Sequence, residues 1–129
     1  ALMIIHLNSE VPIYEQIVRE ILREIACGKL KHGETLPSLR VLAEDMGINL
    51  HTVNKAYQKL RKMGYVEIDR RRGAVIAEQF LPRDKDEENF RREVLSFILA
   101  DSINRGESFD DVRKEMEEIF KKVQKGEKL

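Results

Sequence analysis

Tryptophan is missing from this 129-residue sequence, cysteine occurs once, proline three times, and all aromatic residues together make up 6% of the chain. A lone Cys27 excludes an intramolecular disulfide, and its place at the end of an apolar helical stripe reads as a small buried hydrophobe. The scarcity of aromatics argues against an exposed protein-docking face, where such side chains concentrate. No apolar run approaches the roughly 18 residues of a membrane-spanning helix. No basic-then-apolar signal segment opens the chain, and Met3 reads naturally as a start, so the cytoplasm is the expected compartment, with no membrane partner.

Catalytic inventory is also thin. His6, His32 and His51 have no metal-ligand spacing with one another or with Cys27, and no glycine-rich loop follows a strand to cradle a phosphate. The acidic residues fall on helical faces interleaved with Lys and Arg. The expectation is a protein with no metal, no cofactor and no enzyme activity.

The 23 basic and 23 acidic side chains cancel, so bulk charge announces no polyanion. Their distribution is more informative. Between Lys29 and Ile76 ten basic residues face five acidic ones, whereas from Pro82 onward 11 basic residues face 13 acidic ones. Positive charge is concentrated in the first part of the chain.

Apolar spacing organises that part into three helices. Ile13, Ile17, Ile21, Leu22 and Ile25 form one stripe over about residues 11 to 28, with Pro12 in the first turn and Gly28 as a stop. A connector with Gly33 and Pro37 follows, and Ser38 can cap a short helix bearing Leu39, Leu42, Ala43 and Met46, which Gly47 ends. Asn49 can cap a third helix, about 50–63, that keeps Val53, Ala56, Tyr57 and Leu60 inward. A short helix, a turn containing Gly and a longer helix fit a helix-turn-helix. Tyr65, Val66 and Ile68, then Ala74 to Ala77, are β-type runs around the basic tip Asp69-Arg-Arg-Arg-Gly73, which makes the unit a winged helix-turn-helix.

Two further amphipathic helices follow. Phe90, Val94, Phe97 and Ile98 mark the first, which Gly106 breaks. Phe109, Val112, Met116, Ile119 and Phe120 mark the second, which Ser108 can cap. Stripes this wide need a covering surface, either the winged unit or a second copy of the same helices. The expected fold is mainly α with a small β-hairpin: a winged helix-turn-helix domain over residues 1–80 and a two-helix dimerisation region over 81–129.

The outer face of the third helix carries His51, Thr52, Asn54 and Lys55, side chains suited to base edges and phosphates in a major groove. Arg40, in the first turn of the preceding helix, can reach a guanine or a phosphate, or instead pair with Glu44 one turn on. Arg70, Arg71 and Arg72 crowd charge onto a tip where Gly73 permits close approach to a minor groove, although a charged tip also protects a hairpin edge from aggregation. A different class of reading makes the winged unit a protein-interaction module without specific DNA binding.

Taken together, Pro12-Ile-Tyr-Glu-Gln-Ile17, the Gly33-x-x-Leu-Pro-Ser-x-Arg40 run, Leu42-Ala43 with Gly47, Thr52-Val53 leading to Ala56-Tyr57, and the Arg72-Gly73 wing resemble the DNA-binding domain of the GntR family of bacterial transcription regulators. The resemblance covers roughly residues 11 to 78, and the short helical tail is similar to that of the YtrA-like subfamily. It implies a homodimeric repressor on double-stranded DNA with a palindromic operator, often beside transporter genes. It places the DNA contacts on Arg40, Asn49, Leu50, His51, Thr52, Asn54 and Gly73, and Ser38, beside Arg40, is counted as a further candidate contact. One position departs, because Leu50 stands where many members carry Arg, and a contact from Leu50 to a thymine methyl becomes a reading for this chain. A small-molecule effector is left open.

Overall fold

The computed structural model describes residues 5–129; Met3 lies outside them. Five helices and one hairpin follow in order: α1 (Ile13–Ala26), α2 (Leu39–Met46), α3 (Leu50–Lys62), β1 (Val66–Asp69), β2 (Gly73–Ile76), α4 (Lys85–Asn104) and α5 (Phe109–Lys125). They fall into two compact units, one ending at Phe80 and the other running Leu81–Leu129.

In the first unit α1 and α2 both pack on α3, and β1 leaves directly from its end. The core is Ile17, Val18 and Ile21 of α1, Leu42 and Ala43 of α2, Val53, Ala56, Tyr57 and Leu60 of α3, and Val66, Ala74 and Ile76 of the hairpin, with Leu36 of the connector. α3 is thus the central element, and only its outer face is left for a partner. α1 is shorter than its apolar pattern predicts. Pro12 is extended (φ −54°, ψ 148°), so the helix opens one residue later, and Gly28 turns the chain away with φ +84°. Cys27 is half-buried rather than buried, its thiol 3.5 Å from the Glu24 carbonyl to which it donates.

The hairpin pairs antiparallel with Asp69 opposite Gly73 and Val66 opposite Ile76. The connector between α1 and α2 adds a third rung that alternation could not reveal. Gly33 N–H donates to Ile76 O, Ile76 N–H to Glu34 O and Leu36 N–H to Ala74 O, each at 2.8 Å, with a bridge between Thr35 and Val75. The free edge of β2 is covered by this connector.

In the second unit both helices open with reciprocal capping. Asp84 Oδ1 accepts from Glu87 N–H while Glu87 reaches back to the Asp84 N–H, and Ser108 and Asp111 repeat the arrangement for α5. Within one chain the apolar stripes of both helices stand largely open, in keeping with their need for a covering surface. Phe90, Val94, Phe97, Ile98, Phe109, Met116, Ile119 and Phe120 are exposed, with Phe97 at 76% and Phe109 at 79%; only Val112 is buried. The physical reason is that α4 and α5 do not pack along each other, so neither offers the other a covering surface.

α4 differs from α5 in kind. At roughly 100° per residue, Phe90, Val94 and Phe97 project from one side of α4 while Leu95, Leu99 and Ile103 project from nearly the opposite one. The latter line a shallow groove of about 410 Å³ with Arg92, Ser96 and Ala100. α5 keeps its apolar residues on a single stripe. A helix apolar on two sides is built for burial between partners, and one with a single stripe for lying on a surface.

Candidate nucleic-acid interface

The interface is built by the α2–turn–α3 segment and the wing. Ser38, in an extended conformation, accepts the Val41 N–H on its Oγ at 3.1 Å and starts α2, whose first turn carries Arg40. Gly47 closes α2 in the left-handed region (φ +65°), a geometry that lets the chain reverse in two residues. Asn49 then caps α3 by accepting the His51 N–H at 2.7 Å. Both caps fix where the helices begin, and so place Arg40, Leu50 and His51.

Arg40 is exposed and forms no ion pair among the described residues, so the pairing with Glu44 is not made. Between it and the start of α3 lies an open depression of about 330 Å³ lined by Arg40, Ala43, Glu44, Gly47, Ile48 and Leu50. Leu50, the first residue of α3, is 41% exposed and supplies an apolar surface to the depression that Arg40 also lines. His51 is exposed; Thr52 and Asn54 are half-buried, and Asn54 Oδ1 lies 3.5 Å from Gln58 Nε2. Lys55 is turned away from this group, its ammonium 4.2 Å from the Tyr14 ring centroid on α1. Such a contact is worth about 0.5–1 kcal/mol at an exposed site, a modest restraint that a phosphate can outcompete.

At the wing tip the Asp69 carboxylate accepts the backbone N–H groups of Arg71 and Arg72 at 2.7 and 3.0 Å. Those two bonds hold its pKa below the ordinary carboxylate value. The carboxylate therefore stays ionised and organises the turn, while Gly73 takes φ +81°. Arg70 and Arg71 are exposed and make no side-chain hydrogen bond or ion pair among the described residues. Arg72 behaves differently from the grouping in which the sequence placed it. Its guanidinium folds back onto the connector, donating to the Gly33 carbonyl and, at 3.1 Å, to Thr35 Oγ1.

Support for the interface comes from residues that sequence reasoning had assigned to the core or to no role. Tyr57 is 3% exposed, yet its hydroxyl donates to the Pro37 carbonyl at 2.8 Å, tying α3 to the residue before the Ser38 cap. Burial pushes its phenol well above the ordinary tyrosine value, which keeps it a donor. Thr35 and Gly33 accept from Arg72. A polar tip on an inward helical residue was the one available signal for Tyr57, and nothing local marks Thr35.

The comparisons with known proteins agree with this geometry. The profile described as "Bacterial regulatory proteins, gntR family" matches residues 13–76, from the start of α1 to the end of β2. The HTH-type transcriptional repressor YtrA of Bacillus subtilis is 32% identical over 122 residues, spanning 94% of this chain and 94% of that protein. A structure described as a transcriptional antiterminator from Listeria monocytogenes EGD-e superposes with a TM-score of 0.91 at 29% identity, covering 100% of this chain and 97% of its own. The DNA-binding domain of AraR in complex with its operator ORX1 matches at a TM-score of 0.52 and 26% identity, over 60% of this chain and 95% of that one. With a relative of this identity aligned over almost its whole length and the family profile spanning the winged unit, the chain belongs to the GntR family of bacterial regulatory proteins.

Proposed function

We propose that the chain is a sequence-specific DNA-binding transcription regulator acting in the cytoplasm as a homodimeric repressor on a palindromic operator. The observation that carries this reading is the unpaired, exposed Arg40 beside the capped start of α3, with Leu50 and His51 alongside it. Base edges are read by the first residues of a recognition helix, and a planar guanidinium suits the O6 and N7 acceptors of guanine. Thr52 and Asn54 complete the reading set. Arg70 and Arg71 supply sequence-independent attraction to phosphates, and Gly73 lets the wing backbone lie against a sugar–phosphate edge.

Dimerisation belongs to residues 81–129. A second copy is the occupant whose chemistry matches the exposed stripes: α4, apolar on two sides, becomes the buried element, and the exposed α5 residues Phe109, Met116, Ile119 and Phe120, flanking the already buried Val112, cover it. Similarity to a protein named as a repressor supports a repressor role, since a dimer seated on an operator blocks access to a promoter.

Fluorescence anisotropy with a palindromic fragment from upstream of the chain's own gene, and with a scrambled fragment, at two salt concentrations, tests this reading. Tight binding to the first that weakens steeply with salt, by about 0.9 log units of affinity per log unit of salt for each phosphate neutralised, is expected. A salt-independent response on both fragments would sink the DNA reading and favour a protein partner for the winged unit.

A further inference from the structure

We infer that Arg72 is a positioning residue for operator reading and not a phosphate ligand: it locks the wing to the connector that delivers Arg40. This rests on the DNA reading above.

Three contiguous observations carry it. First, the Arg72 guanidinium has two acceptors within the protein, the Gly33 carbonyl and Thr35 Oγ1, whereas its neighbours Arg70 and Arg71 have none among the described residues. Second, its direction is set by the backbone. Asp69 grips the N–H groups of Arg71 and Arg72, and Gly73 in the left-handed region turns the chain into β2 immediately afterward. Third, the connector it reaches is short and pinned at both ends. Gly33 and Leu36 bond to β2 through Ile76 O and Ala74 O, Pro37 O accepts from Tyr57, and Ser38 caps the helix that carries Arg40. Between Thr35 and Arg40 there is no free hinge, since Leu36 is buried, Pro37 has a fixed φ and Ser38 is bonded.

A displacement of the wing is therefore transmitted through Thr35 to the start of α2. Without Arg72 the wing keeps its hairpin register but loses the side-chain tie at its tip, and Arg40 samples more than one height above the groove. Arg72 would then contribute to preference for the operator without a phosphate bond of its own: its Nη2 faces the Gly33 carbonyl and Thr35 Oγ1, neutral acceptors that leave its charge in place but hold it against the connector, so its removal vacates no phosphate contact.

The test compares the wild-type chain with Arg72→Ala, Arg72→Lys, Thr35→Val and Arg71→Ala. Amide hydrogen exchange in the DNA-free protein reads the tie directly. The Gly33, Leu36 and Ile76 amides are expected to exchange roughly two- to tenfold faster in Arg72→Ala, the combined weight of the two exposed hydrogen bonds that its Nη2 makes. Thr35→Val should show part of that change, and Arg71→Ala none. On DNA, Arg72→Ala should lower the preference for operator over scrambled DNA with the salt slope unchanged, whereas Arg71→Ala should lower the slope by about 0.9. Added to Arg40→Ala, it should remove little further preference, since both changes act through the same side chain. Lysine at position 72, able to donate to one of the two acceptors, should restore part of the preference.

Unchanged exchange at Gly33 and Leu36, or a salt slope that falls in Arg72→Ala as it does in Arg71→Ala, would overturn the assignment. If the wild-type chain bound no DNA at all, the functional reading would fall, and the exchange comparison would still decide whether the tie exists.

Discussion

Replacing Tyr57 by Phe removes one oxygen from the centre of the winged unit and tests the tie between α3 and the start of α2. The ring stays, so packing among Val53, Ala56 and Leu60 is kept, and only the bond to the Pro37 carbonyl is lost. That bond is one neutral hydrogen bond whose acceptor belongs to an exposed residue and can take water instead, so the expected cost is about 0.5–1.5 kcal/mol. For a domain of 60–100 residues, about 4–8 °C of Tm accompanies each kcal/mol, which gives a fall of about 2–12 °C by calorimetry at fixed protein concentration. The pH dependence supplies a second signature. Burial raises the Tyr57 pKa in the folded state, so the stability it contributes is fully present below the ordinary tyrosine value of about 10 and is lost as pH rises toward the folded value. Wild type should therefore lose stability above that pH more steeply than Tyr57→Phe, and the gap between the two should close. An unchanged Tm at neutral pH, together with parallel alkaline profiles, would refute the role given to this hydroxyl.

Glu24 has its pKa raised by burial and by the neighbouring Glu20, so its charged form opposes folding above that raised value and the penalty disappears as pH falls. Glu24→Gln should stabilise the fold at pH 7 by a few tenths of a kcal/mol once solvent screening is allowed for, read as a slightly higher urea midpoint, and not at pH 4. If the proposed dimer forms through residues 81–129, Phe97→Glu should dissociate it: burying Phe contributes about 1.5–3 kcal/mol and two-fold symmetry counts it twice, so association should weaken by roughly 100-fold or more in sedimentation equilibrium. If Leu50 meets a thymine methyl, replacing that thymine by uracil in the operator should cost about fourfold in affinity, from roughly 0.8 kcal/mol per methyl-sized group, and the loss should vanish in Leu50→Ala.

Local patterns made the helices and their caps readable in advance. Ile17 and Ile21, or Val53, Ala56 and Leu60, recur at helical spacing, and Ser38, Asn49 and Ser108 stand where orphan N–H groups need acceptors. The exposed Arg40 and the basic wing were legible for the same reason, since their chemistry is local. What escaped depends on segments far apart in the chain. The connector's pairing with β2 joins residues about forty positions apart, and Gly-Glu-Thr-Leu has no alternation to announce it. Arg72 looked equivalent to Arg70 and Arg71 because a sequence gives no direction to a side chain. The contact of the Lys55 ammonium with the Tyr14 ring of α1 likewise joins segments that local spacing does not connect. In the tail, Leu99 and Ile103 lie off the stripe of Phe90, Val94 and Phe97. Once they are included, α4 is apolar on two sides, which one stripe at helical spacing does not describe.

The division of labour between Arg40 and the wing is tested most directly by measuring operator and random-DNA affinities for wild type, Arg40→Ala and Arg71→Ala across a salt series. Arg40→Ala should cost about 1–3 kcal/mol on the operator and little on random DNA, while Arg71→Ala should weaken both alike and flatten the salt dependence by about one phosphate. Equal losses on both DNAs for both variants would contradict the claim that bases are read from the junction of α2 and α3.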